Sequence, residues 1–276
     1  KPDLIIMGHA DLISPEQIEE LKNDYPNVKI GQWFLDPLNK KGPDFERNKQ
    51  RILDKINVVD SSFLTTSPTV LSFIPKNKNV HYIPNPSDKS FETLNNFMSP
   101  CNVDVFFALS HGVHRGVLKS GKTDDRINFV NNLIHKTPNV KFDVYGINNI
   151  QPIWADHYFK TIANAKMGLN LSRGDAIKYY SSDRITQIIG NGLVCLIDEK
   201  TQYNNFFNSK EMVFYKNLSD LSEKIMKVAK DEKLRKSIGR LGKLKYMKYF
   251  NSDLVAQFII NKTLDLNNKN KFFWEK

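Results

Sequence analysis

The sequence predicts an α/β chain built on parallel sheets, and three observations carry that prediction. Short apolar runs alternate with amphipathic stretches along most of the length. The runs end in polar or glycine-containing loops, as strands feeding crossover helices do. With 276 residues and 40% hydrophobic content, the chain is long enough for two modest domains or one large one. Taken in order, residues 3–8 (DLIIMG) read as a strand, and 14–25 as a helix with Ser14 and Gln17 placed as a capping box. Residues 29–35 read as a strand, 44–56 as a helix, and 58–65 and 80–83 as strands. Pro84 and Pro86 fix the chain in extended or turn geometry. Beyond them, 102–110 (NVDVFFALS) read as a buried strand, followed by the polar run His111 to Gly116, a helix from about 124 through 135, and the strand KFDVYG ending at Gly146.

The richest stretch is 163–198. Lys166 to Leu171 is a short strand whose end opens into Ser172, Arg173, Gly174 and Asp175, a loop of donors and turn formers. Ser181, Ser182 and Asp183 are N-cap candidates before the apolar positions Ile185, Ile188 and Ile189, and Gly190 or Gly192 can end that helix in a left-handed conformation. Arg184 falls in the first turn, where the helix dipole disfavours a cation, so a diphosphate or carboxylate partner explains it.

The run Ser182 to Gly192 (SDRITQIIGNG), preceded by Gly168, Leu169, Asn170, Leu171 and Ser172, resembles the G-L-N … S-x-R-x-x-E-x-x-x-x-G signature of GT-B glycosyltransferases related to the CgeB spore-maturation group. The resemblance implies two Rossmann-type parallel-sheet domains facing a cleft, the first one short or truncated. It implies that Arg184 contacts the diphosphate of a nucleotide-sugar donor and that Gln187, standing where the family has glutamate, meets donor hydroxyls together with Asn170. Arg115, and then Lys119, Lys122 and Arg126, become donor-phosphate candidates. Tyr145 and Gly146 close the strand where the family holds the base, and Ser172, Arg173, Tyr180, Ser182 and Asp183 complete the donor side. Tyr179 stands in place of the first acid of the retaining-enzyme Glu-x7-Glu motif. Trp33, Asp36 and Pro37 resemble a W-x-x-D-P segment that lines the interdomain cleft. The implied division is an acceptor-side unit over 1–88, a linker over 89–101, a nucleotide-sugar-binding unit over 102–250 and a tail over 251–276 that crosses back.

In the first unit, His9 and Asp11 follow the first strand and are candidates for the acceptor-side base, with helix capping as the plain alternative for Asp11. His111 and His114 lack a third ligand cluster, and Gly116 to Thr123 misses the phosphate-loop pattern by one position. No metal and no cofactor besides the donor is expected. Net charge is +10 with pI near 9.3. The basic residues are spread out, and their densest group, 224–248, follows helical spacing around Leu221, Ile225, Val228, Leu234, Ile238 and Leu241, which reads as a solvated helix face rather than a nucleic-acid site. Contact with anionic membrane lipid is the sharper reading of that face.

No apolar run reaches the ~20 residues needed to cross a bilayer. Cys101 and Cys195 read as reduced thiols in a cytoplasmic setting, and the start at Lys1 reads as that of a fragment. The expected activity is sugar transfer to an unidentified acceptor, whether glycan, lipid-linked or protein. The alternatives are a silent nucleotide-sugar-binding module and, behind it, a basic nucleic-acid-binding protein.

Overall fold

The computed structural model describes residues 1–42, 44–109, 124–266 and 271–275. Two fully parallel sheets organise them. The first has order β1-β2-β3-β4, from β1 (Leu4–Gly8), β2 (Lys29–Phe34), β3 (Ser61–Leu64) and β4 (Val80–Tyr82). Helix α1 (Pro15–Asp24) joins β1 to β2, and α2 (Phe45–Leu53) joins β2 to β3. The expected capping box is present: the Ser14 hydroxyl accepts from Gln17 N while the Gln17 side chain accepts from Ser14 N.

The second sheet has order β6-β5-β7-β8-β9, from β5 (Val103–Ala108), β6 (Phe142–Tyr145), β7 (Ala165–Asn170), β8 (Val194–Asp198) and β9 (Val213–Tyr215). Chain order reverses at β5, so the carboxyl ends of β5 and β7 flank a topological switch point, where open parallel sheets hold ligands. Period-2 alternation buries both faces of this sheet. Val105 and Phe107 of β5 and Val194 and Leu196 of β8 join one apolar cluster with α3 (Asp125–Lys136) and α6 (Leu218–Lys230). Phe106, Ala108, Cys195 and Ile197 join the other, with α5 (Arg184–Gly190), α7 (Glu232–Tyr249) and α8 (Ser252–Thr263).

The strand expected over 58–65 shortens to β3 because residues 55–59 continue α2 as helical turns, with Val59 N donating to Lys55 O. Sequence reading passed over β9 and α4 (Ala155–Ile162). Helix α4 has no side-chain cap and starts at Ala155 with φ 48°, so it carries none of the usual start signals. Gly192, at φ 80°, is the left-handed residue that follows α5.

The proline-flanked segment after β4 docks the second half onto the first. Asn85 Nδ2 donates to Ser181 O, Ser87 N donates to Phe250 O, and Tyr246 Oη donates to Asn85 O. Buried Arg235 holds the following stretch through the carbonyls of Asn96 and Ser99 and through Glu232. Helix α8 reaches the first sheet, where the Ser61 hydroxyl donates to Lys262 O and Phe258 meets Phe63. Both cysteines are free, Cys195 fully buried in β8. Among the described residues no helix is long and apolar enough to cross a membrane.

Gly168 of β7 is the contact on which α5 sits, since a Cβ there would lie 2.5 Å from Ile188 Cγ1. Gly168→Val is expected to cost about 1–3 kcal/mol by overpacking, read as a lower urea midpoint with an unchanged slope. An unchanged midpoint would show that α5 is free to shift.

Candidate functional site

Two hollows meet at Arg184. The larger, about 380 Å³, is a cleft between the two halves, walled by Asp36, Asp44, Arg47 and Arg51 on one side and by Arg126, Arg173, Tyr180 and Arg184 on the other. The second, about 260 Å³, lies over the carboxyl end of β5 and is walled by Leu109, Ile153, Trp154, Tyr158, Phe159 and Gln187, with Asp183 and Arg184 on its rim.

The Arg184 side chain is part-buried and held from three directions. Its Nε donates to Ala108 O at 3.1 Å, and its Nη1 donates to Leu171 O at 3.1 Å and to the Ser182 hydroxyl at 2.7 Å. The guanidinium lies 5.4 Å from the centre of the Phe107 ring. Those carbonyls end β5 and β7, so Arg184 bridges the switch point. Burial pushes its pKa down from the usual arginine value, with Arg126 adding repulsion. Among the described residues Nη2 has no hydrogen-bond partner and no carboxylate forms an ion pair with this guanidinium. Arg184 is the first residue of α5, in the helix's first turn as expected, and its side chain is structural mortar as well as a charge.

The acidic partners of the cleft arginines are shared. Asp124 caps α3, accepts twice from the Arg126 guanidinium at 2.9 and 2.7 Å, and accepts from Arg173 Nε at 3.3 Å. Arg173 also donates across the cleft to Asp44 at 3.0 Å. Further contacts join the same loop to the first half: Asn39 Nδ2 donates to Arg173 O at 2.8 Å, Lys41 pairs with Asp175 at 2.8 Å, and Ser67 N donates to Lys178 O at 3.1 Å. Gly174, at φ 68°, gives Asn39 room, since a Cβ would lie 2.3 Å from Asn39 Oδ1.

Arg51 anchors the opposite wall. It donates to both carboxylate oxygens of Asp11 at 2.7 Å, to Asp36 at 3.2 Å and to His9 Nδ1 at 2.9 Å. Arginine only donates, so His9 Nδ1 is the acceptor of this bond. The His9 ring stacks on Phe34 at 5.4 Å.

The expected residues therefore separate into groups. Ser172, Arg173, Tyr180, Ser182 and Arg184 line the cleft, while Asp183, Arg184 and Gln187 line the aromatic pocket. His9 and Asp11 line neither and touch the cleft through Arg51. Asn170 is buried, accepts from the Ser182 hydroxyl at 3.0 Å, and lines a small cavity of about 50 Å³ behind the loop rather than either larger hollow. Tyr145 packs on Phe106 and His157 and lines neither hollow, and Gly146 at φ 76° presses on the Leu109 carbonyl. The aromatic wall comes from Trp154, Tyr158 and Phe159 instead. Trp33 packs against the core and Gly8 while Asp36 and Pro37 line the cleft. Arg115, with His111, His114, Lys119 and Lys122, lies outside the described residues.

Sequence reading missed Arg47 and Arg51, although their i, i+4 spacing on α2 was the available signal. Among the described residues no group of three or more His, Cys, Asp or Glu is arranged to hold a metal ion.

Comparison with known proteins adds to this geometry. Residues 126–261 match the profile of a family described as glycosyl transferase-like. No curated protein matches the sequence. Among solved structures, TarM superposes with a TM-score of 0.64 at 13% identity over 94% of this chain. HepE of Anabaena, crystallised with UDP, superposes with a TM-score of 0.63 at 9% identity over 96% of this chain and 79% of its own. The fold is GT-B. Sucrose-phosphate synthase of Thermosynechococcus elongatus shares it, with a TM-score of 0.59 at 10% identity over 94% of this chain and 72% of its own. The chain spans about half the length of TarM, 54%.

The pairing with Arg51 holds the Asp11 carboxyl below the ordinary carboxylate range. A lowered folded-state pKa contributes stability above the unfolded value of about 3.9 and loses it as pH falls. Wild type and Asp11→Asn are expected to differ in urea midpoint at pH 7 and to draw together as pH falls below about 3.9. A gap that stays constant as the pH is lowered would rule the ion pair out as its cause.

Proposed function

We propose that this chain transfers a sugar from a nucleotide-diphosphate sugar to an acceptor seated in the cleft. The observation that carries the reading is that Arg184 is a wall common to the aromatic pocket and to the arginine-lined cleft. A base stacked on Trp154, which is 56% exposed, and against Phe159 places its ribose at Gln187 and its diphosphate at Arg184 Nη2. Burial raises the Tyr158 pKa, so its hydroxyl, unpartnered among the described residues, remains a donor at neutral pH. The sugar then points into the cleft. The UDP and UDP-glucose held by HepE support a UDP-sugar as donor.

In this reading residues 1–88 form the acceptor side, 89–101 the linker, 102–250 the donor side, and 251–276 the segment that returns to the first sheet. Chemistry is electrostatic. As the glycosidic bond to the diphosphate breaks, negative charge grows on the leaving oxygen, and a preoriented guanidinium stabilises it. We assign that work to Arg184 without a metal, with Ser172, Arg173 and Ser182 bordering the sugar. The acceptor-side base belongs to the cluster around Arg51, in which Asp36 faces the cleft and His9 and Asp11 stand behind it. Peripheral contact of the basic exterior with anionic lipid fits the same reading.

Neutral Gln187 favours one rival, a module that binds the donor and does no chemistry. Release of glucose from UDP-glucose without acceptor separates the two.

Arg184→Gln is expected to weaken UDP binding tenfold or more, since hydrogen bonds to charged groups contribute about 1.5–3 kcal/mol. Because Arg184 also braces two strands, Trp154→Ala is the companion variant, with an expected loss of about tenfold from lost stacking. Isothermal titration with UDP reads both, and wild-type affinity in both variants would overturn the donor site. In a pH–rate profile of UDP-glucose turnover, Asp36→Asn is expected to remove the acidic limb and His9→Ala to leave it. The reverse result would move the base to His9.

A further inference from the structure

A hollow of about 430 Å³ lies away from Arg184, between the segment 89–97 and α7, and its walls include Lys89, Thr93, Phe97, Lys243, Leu244 and Met247. Its frame is tied down from behind. Lys243 Nζ donates to Glu92 O at 3.2 Å and to Leu94 O at 2.6 Å, and Leu94 N donates to the Asn191 side chain at 3.0 Å. Glu92 and Phe97 lie against Gly190 and Gly192 at the end of α5. On this frame Leu244 is 55% exposed, and the same segment holds Phe91 at 66% and Met98 at 72%. Large apolar groups gathered around a hollow and kept in water mark a contact surface. Charge identifies what that surface meets. From Lys233 to Tyr249, α7 carries no acidic residue. Helical spacing sets Lys236, Arg240, Leu244, Met247 and Lys248 on one outward arc, whereas Arg235, Ile238 and Tyr246 are buried on the other. Lys89, Arg240 and Lys248 have no carboxylate within ion-pair distance among the described residues.

We infer that this face docks on an anionic lipid bilayer, with Phe91, Leu244 and Met247 entering the headgroup layer and Lys89, Arg240 and Lys248 meeting lipid phosphates around them. Apolar side chains flanked by Lys and Arg on one exposed helix face are the composition that suits a membrane interface, where the long cationic chains reach up to the headgroups. A second copy of the chain is a poorer occupant, since a twofold contact sets the same unpaired cations against one another. Nucleic acid would use the cations and leave Phe91, Leu244 and Met98 in water. The lipid contact of the basic exterior thereby gains a defined face, which shares no residue with either hollow at Arg184 and does not depend on the donor reading.

Co-sedimentation with vesicles of phosphatidylglycerol and phosphatidylcholine in equal amounts, beside vesicles of phosphatidylcholine alone, is the test. Wild type is expected to partition onto the anionic vesicles at least about tenfold better than onto the neutral ones, and less as salt rises. Two variants divide the surface: Phe91→Ser with Leu244→Gln removes its apolar part, and Lys89→Gln with Arg240→Gln and Lys248→Gln removes its charge. Each is expected to lower partition onto anionic vesicles about tenfold or more. Every substituted side chain is exposed, so urea midpoints are expected to match wild type, and UDP affinity to stay within about twofold. Equal partition of wild type onto both vesicles, or onto neither, overturns the inference, as does binding that both variants keep. Loss in the charge variant alone, with tighter binding of a single-stranded oligonucleotide than of vesicles, overturns it in favour of nucleic acid. Self-association of wild type that the apolar variant abolishes, without vesicle binding, overturns it in favour of a second copy. Failure of wild type to bind UDP, with vesicle binding intact, overturns the donor reading and upholds this one.

Discussion

Everything at this site hangs on one guanidinium tied to two strand ends. In a parallel sheet the last carbonyls of each strand point past the edge without ladder partners, and those of β5 and β7 diverge at the switch point. The Arg184 side chain fills that gap by donating to Ala108 O and Leu171 O. The same bonds fix the direction of its remaining nitrogen. Gly168 permits α5 to come close enough to place the side chain, and the Ser182 hydroxyl, itself bonded to Asn170, closes the third side. A ligand anion therefore meets a charge whose orientation was fixed on folding, which is the condition for an electrostatic contribution without reorganisation.

Around this fixed point the cleft keeps its other arginines ordered by sharing acids. Asp124 serves Arg126 and Arg173, while Asp11 and Asp36 serve Arg51. Part-buried guanidinium groups packed without such acids would repel one another and splay into solvent. The arrangement keeps the walls apart and the charges in place, so that the hollow persists without its ligand.

Much of the frame was legible because both signals that define it are local. The period-2 runs of β5, β7 and β8 and the capping box of α1 need no tertiary information, and the order of strands and helices yields two parallel sheets. The run Ser182 to Gly192 drew attention to the residue shared by both hollows because Arg184 is an unfavourable choice for a helix start. What escaped was set by distance along the chain. The bond of Asn39 to Arg173 spans 134 positions and that of Arg51 to Asp11 spans 40, and neither leaves a trace in local pattern. Asn170 shows the limit of position alone: it stands at the strand end as expected, but its side chain lines a third, smaller cavity rather than either hollow at Arg184. Helix α4 and the residue before it carry the aromatic wall, and α4 lacks the cap residues by which helices announce themselves, so Trp154, Tyr158 and Phe159 were not legible in the sequence.

The clasp between the halves at Asn39, Lys41, Asp44 and Ser67 holds the same loop, 172–178, that borders the cleft. A loop held from outside its own domain has its order set by the angle between the domains. Swinging the halves apart releases that loop's tethers, and any molecule that prefers the tethered loop must in turn favour the closed angle, to the same extent in free energy. Occupancy on one side of the cleft is in this way felt on the other through chain entropy, with no need for the two occupants to touch.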